Sequence, residues 1–106
     1  HGTDDPIVNV HNAGELTEQW IALLNLTGAD STTVSAFQDN AGVSLTYWQD
    51  DTGEPLVLKY EVSDLGHNLP VDPGEGPAQG GQSGSFARDV DFYSSYWIAR
   101  FFGLTN

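Results

Sequence analysis

The sequence predicts a mixed α/β fold, and three observations predict it. Two runs, residues 43–48 and 56–62, alternate apolar and polar side chains with the period of a strand. Two further stretches space their apolar residues as helices do: residues 12–25, and a segment that starts at Asp89 or Asp91 and ends at Gly103. Between them His67 stands on a loop just past the end of the second strand, where open α/β sheets present catalytic groups. A chain of 106 residues is one domain or a piece of one. These elements make a small sheet with missing neighbours, so the expectation is a single partial domain over residues 1–106, although a free-standing domain of this size is feasible.

In chain order, His1-Gly2-Thr3-Asp4-Asp5-Pro6-Ile7-Val8 reads as a polar turn. Pro6 keeps Asp5 out of the helical region. Asp5 is read as a loop carboxylate; the plainer alternative is an Asp-Pro turn capping the coming helix. The first helix has Asn12 and Glu15 as a start signal of capping-box type and Gly28 as its stop. Leu16, Trp20, Leu23 and Leu24 share one face. Full burial of each is worth roughly 1.5–3 kcal/mol, so this stripe is expected to be core.

Residues 29–42 are polar and weakly patterned, and read as loop. The strands at 43–48 and 56–62 flank Asp50-Asp51-Thr52-Gly53, a turn with Gly53 suited to a left-handed position, and are expected to pair as an antiparallel hairpin or lie side by side at a sheet edge. Pro70, Pro73 and Pro77 hold the chain in irregular extended structure after His67. Residues 71–86, rich in Gly, Pro, Gln and Ser, read as a long, mobile loop of the kind that carries function. The last helix is expected to have aspartates in its first turn and Arg100 in its last, matching the helix dipole, and to dock firmly on a sheet.

Composition narrows the function. Fifteen acidic residues face three basic ones, Lys59, Arg88 and Arg100, for a net charge of −12. Nucleic acid and anionic membrane surfaces are poor partners for that field. No apolar run is long enough to span a bilayer. The charge suits a secreted, marine or salt-tolerant source without deciding the compartment: a secreted or periplasmic setting is favoured over a cytoplasmic one. Cysteine is absent, which rules out disulfides, thiolate zinc sites and a cysteine nucleophile among these residues. The three histidines show no H-x-x-x-H or H-E-x-x-H spacing, and no acidic loop has the D-x-D-x-D-G calcium pattern, so no metal or other cofactor is expected. His11 reads as exposed or capping, and His1 as structural.

A histidine base needs a carboxylate to orient it and a nucleophile to deprotonate. Asp5 and His67 supply the first two members. They also stand in the order acid then histidine, as α/β-hydrolases arrange them after the nucleophile. The nucleophile elbow G-x-S-x-G does not occur. The nearest sequence, Gly81-Gln82-Ser83-Gly84-Ser85, lacks the final glycine and the flanking strand and helix, so Ser83 reads as a loop serine.

His1-Gly2-Thr3-Asp4-Asp5-Pro6-Ile7-Val8 resembles the H-G-T-x-D-P-x-V segment that carries the acid in esterases of the polyhydroxybutyrate depolymerase family. The segment from Gly66-His67-Asn68-Leu69-Pro70 to Gly74 is similar to that family's G-H-x-x-P segment carrying the catalytic histidine, and the stretch from Ser94 to Leu104 resembles its closing helix. The resemblance implies the C-terminal part of an α/β-hydrolase fold, its late strands and helices, with the N-terminal half and the nucleophile elbow missing. It implies a serine esterase cleaving polyester or related ester bonds. Asp5 would orient His67, and His67 would activate a serine on an N-terminal part of the same hydrolase. Asn68 and Leu69 stand where the family often has Ala-Trp or Gly-Thr, and Ser83 where some relatives have a cysteine. Asn68 and Leu69 are thereby the candidate substrate-binding residues. The alternative is a non-enzymatic binding module derived from the hydrolase C-terminal part.

Overall fold

A computed structural model describes residues 1–105. It divides into two compact units, residues 1–66 and the chain from His67 onward. Both sheet and helix are present, as the sequence predicts.

In the first unit, α1 (His11–Leu23) is followed by β1 (Ser31–Val34), a short 3-10 turn (Phe37–Asp39), β2 (Val43–Gln49) and β3 (Pro55–Val62). The three strands form an antiparallel sheet in the order β1-β2-β3. The β2–β3 register pairs Val43 with Val62, Leu45 with Tyr60 and Tyr47 with Leu58 along one face. Apolar cross-strand pairs of this kind hold the register, because a slip of one residue would turn them all over. Val43, Leu45 and Val62 are buried, together with Leu26, Phe37 and Leu65, and the Phe37 ring meets the Tyr60 ring edge-on at 5.2 Å. The expected hairpin turn is present. Asp50 Oδ1 accepts from the amides of Thr52 and Glu54 and from the Thr52 hydroxyl, and Gly53 takes φ +86°.

Several expectations are corrected. Residues 29–42 hold more than loop: β1 lies there, an exposed polar edge strand whose Thr33 hydroxyl bonds that of Thr46 at 3.1 Å. Its sequence, Ser-Thr-Thr-Val, has no apolar alternation to announce it. α1 starts at His11, and Asn12 is not its cap. Asn9 Oδ1 instead accepts the His11 amide. Its end is set by Asn25 rather than Gly28. Asn25 is left-handed at φ +56°, and the Leu26 amide reaches back to the Ile21 carbonyl at 2.9 Å, which closes a Schellman motif over buried Leu26. The apolar stripe of α1 is not core: no residue of the helix is buried, and Trp20 is 49 % exposed. Helical period specifies which residues share a face; it does not supply the surface that covers it.

The second unit holds β4 (Leu69–Val71), β5 (Ala87–Asp89) and α2 (Ser94–Phe101). β4 and β5 pair in parallel, with Leu69 opposite Ala87. Val71 and Phe92 are its buried residues. The connecting segment carries more internal structure than its composition suggests. Gln79 donates to Asp72 Oδ1 and accepts the Gly76 amide, Asp72 and Gly80 exchange backbone bonds, and Gly80 and Gly81 lie so close to Tyr93 and Val71 that a Cβ on either would collide. α2 starts at Ser94, beyond both aspartates. Asp91 turns left-handed, φ +54°, and its amide bonds Asp89 Oδ1, so these residues shape the turn before the helix instead of its first turn. Arg100 is in the last turn, and Gly103 at φ +70° closes the helix, both as expected. The helix is not firmly docked within the unit: Ile98, Phe101 and Phe102 are exposed.

Candidate active site

The first four residues are bound to the end of β3 and the turn after it. His1 and Thr3 bracket Val62 as in a parallel ladder: the Val62 amide donates to the His1 carbonyl, and the Thr3 amide to the Val62 carbonyl, each at 2.9 Å. Past the strand ends, the Asp4 amide donates to the Leu65 carbonyl at 3.0 Å and the Asp64 amide to Thr3 Oγ1 at 3.2 Å. Asp64 takes φ +57°, so β3 ends in a tight left-handed turn. Gly2 permits this approach. A Cβ there would run into the Leu65 carbonyl, with the Gly66 carbonyl 2.7 Å away. The glycine of the H-G-T-x-D-P motif therefore has a steric reason.

Asp5 follows directly. Its side chain is 6 % exposed. Oδ1 accepts the Ile7 and Val8 amides at 2.9 and 2.8 Å, which fixes the plane of the carboxylate, and Oδ2 lies 3.6 Å from His1 Nε2. The same His1 nitrogen is 2.8 Å from the Val8 carbonyl. His1 thus braces the loop, the structural part given to it by the sequence. The Asp-Pro turn is present, since Asp5 organises it, but it does not cap the helix, which starts at His11 with Asn9 on its amide. One oxygen held by backbone and a second turned to an imidazole is the arrangement a triad acid requires. His1 brings one imidazole to 3.6 Å from Oδ2.

His67 opens the second unit, two residues after Leu65 in the chain, and is exposed. Its ring meets that of Phe86 edge-on, with centroids 6.2 Å apart. Asn68 is half-buried and Leu69 exposed. Asp5 and His67 belong to different units. Ser83 lies on an exposed loop without regular structure, as the sequence predicts. His11 is exposed and pairs with Glu15 at 3.2 Å.

Sequence reading missed two features. Asp72, Asp89 and Asp91 bring a carboxylate oxygen each to within 4.8 Å of one another. Their spacing matches no short metal motif, and only the parallel pairing of β4 with β5 gathers them. Phe86 was read as the end of a loop, and nothing in its neighbourhood in sequence points to His67.

No family model matches the chain. It is 37 % identical, over 109 aligned positions, to the poly(3-hydroxyalkanoate) depolymerase C of Paucimonas lemoignei. The match takes in 98 % of this chain and 24 % of that protein, so the chain spans about a quarter of the length of the curated relative it matches.

Proposed function

We propose that this chain is the C-terminal segment of a serine esterase of polyester-depolymerase type, and that Asp5 and His67 are the acid and base of its Ser-Asp-His triad. The observation that carries the reading is the way two motif-bearing loops leave the same sheet edge. The Asp5 loop follows Gly2, the His67 loop follows Val62, and these two residues are parallel neighbours. In open α/β sheets, groups that act together gather at the carboxyl ends of parallel strands. The 37 % identity to a protein named as a depolymerase supports the substrate class.

In this reading the chemistry divides between two segments. His67 takes the proton from a serine Oγ as that oxygen attacks the ester carbonyl. It then returns the proton to the departing alkoxide, and a water molecule hydrolyses the acyl-serine by the same route. Asp5 holds the imidazole in one tautomer and stabilises its cation. The serine and the oxyanion donors come from an N-terminal segment, because in this fold one donor is the amide after the nucleophile and the other comes from an early loop. The exposed apolar faces of α1 and α2 support such a partner segment.

The test is turnover of p-nitrophenyl butyrate. The 106-residue chain alone is expected to be inactive. Joined to or co-folded with a segment carrying G-x-S-x-G, it is expected to become active, and to lose that activity in His67→Ala. The other reading is a binding module, and reconstitution without activity would support it. Turnover by the chain alone, lost in Ser83→Ala, would overturn the assignment of the nucleophile.

A further inference from the structure

Phe86 is 72 % exposed and belongs to neither core. It sits in a two-residue turn: Gly84 and Ala87 exchange backbone hydrogen bonds across it, leaving Ser85 and Phe86 as the central pair. Such positions favour Gly, Asn, Asp, Pro or Ser, so turn chemistry does not ask for a phenylalanine. Packing does not ask for it either. A single exposed apolar residue is ordinary, but this one is held in a specific place. The Leu69 amide donates to the Phe86 carbonyl at 2.8 Å, and β4 and β5 pair from the next residue on, so the segment after His67 returns and sets the ring against the imidazole. Leu69, itself 49 % exposed, is the other large apolar side chain at this point of the ladder.

We infer that Phe86, with Leu69, is a specificity-determining wall beside His67 that takes the alkyl part of a short aliphatic ester. The inference rests on the esterase reading and deepens it. The occupant follows from the ring contact: whatever lies on the Phe86 ring lies beside the imidazole that handles the proton. An ester whose reaction is served by that imidazole has the Phe86 ring as the neighbouring apolar surface for its alkyl chain. A neutral alkyl chain is also the part of such a substrate that gains most from an aromatic surface, at about fourfold in affinity for each methylene fully buried. Phe86 supplies one wall of that contact, so its removal is expected to cost a few-fold per substrate, not the whole binding.

The experiment uses the 106-residue chain and two probes, methyl butyrate and methyl acetate, with ring resonances followed by NMR. Methyl butyrate is expected to shift the Phe86 ring and the His67 Cε1–H signals saturably, and to bind at least a few-fold tighter than methyl acetate. Phe86→Ala is expected to weaken butyrate binding about fourfold and to leave acetate nearly unchanged. Phe86→Leu restores most of the difference. Circular dichroism of both variants, with the wild-type spectrum, shows that they are folded. Equal response to the two esters, unchanged butyrate binding in Phe86→Ala, or no saturable shift up to the solubility of the probe would overturn the inference. None of these outcomes touches the esterase reading, which stands or falls on reconstituted turnover. Conversely, ester binding at Phe86 without any reconstituted turnover would leave the wall and remove the catalytic part.

Discussion

The backbone amide of Asp4 donates to the carbonyl of Leu65 at 3.0 Å, across 61 residues of sequence. This bond ties the loop that carries Asp5 to the turn that leads into His67. With the Gly2–Val62 bridge and the Asp64–Thr3 bond it makes a seam between the start of the chain and the end of β3.

Gly2 is the tightest point of that seam, and Gly2→Ala is expected to destabilise the chain by about 1–3 kcal/mol, because the new methyl group meets backbone and no flexible side chain can yield. Gly14, inside α1 with nothing within 4 Å of its would-be Cβ, is the control. Gly14→Ala is expected to stabilise by about 0.5–1 kcal/mol. Urea unfolding of the two variants measures both signs, and a neutral Gly2→Ala would contradict the steric account.

Asp5 has a structural part separable from its chemical one. Asp5→Ala removes the acceptor of the Ile7 and Val8 amides and is expected to cost about 1–3 kcal/mol. Asp5→Asn keeps a carbonyl oxygen for those amides, and its loss is expected to be less than half as large. Equal losses in thermal or urea unfolding would show that the charge, rather than the acceptor, holds the turn.

The carboxyl of Asp50 is held below the ordinary aspartate value of 3.8, first by the Thr52 hydroxyl and then by the Glu54 amide. Because the folded value is the lower one, this group's contribution to stability is fully present above the unfolded value and is lost as the pH falls through the folded value. Carboxyl NMR titration is expected to find Asp50 titrating below 3.8. Thr52→Val is expected to raise its midpoint, and an unmoved midpoint would remove the hydroxyl as the leading cause.

Local chemistry was legible in the sequence, and cover was not. The β2–β3 hairpin, the left-handed Gly53 and the Gly103 stop all follow from side-chain period and glycine geometry over a few residues. Asp5 was visible from the Asp5-Pro6 turn, and Gly2 only as part of the motif that the segment resembles. The burial of α1 was misjudged because Leu16, Trp20 and Leu23 define a face whose cover is no property of the helix itself. β1 escaped because an exposed edge strand needs no apolar alternation. Phe86 escaped because its neighbour His67 is brought to it by a parallel ladder, and pairings across a loop of that length leave no local mark. The start of α2 was placed too early because aspartates favour both helix N-termini and left-handed turns, and here Asp91 takes the turn.

The central claim is that Asp5 and His67 act as one unit on an ester, and a double-mutant cycle tests it most directly. The measurement is kcat/KM for p-nitrophenyl butyrate in the reconstituted enzyme, comparing Asp5→Asn, His67→Ala and the pair. Each single change is expected to lower the rate by roughly 10⁴-fold, and the double change by no more than His67→Ala alone, since a carboxylate that works only through an imidazole has nothing left to orient once the imidazole is gone. Losses that multiply in the double variant, or turnover that survives His67→Ala, would contradict the account.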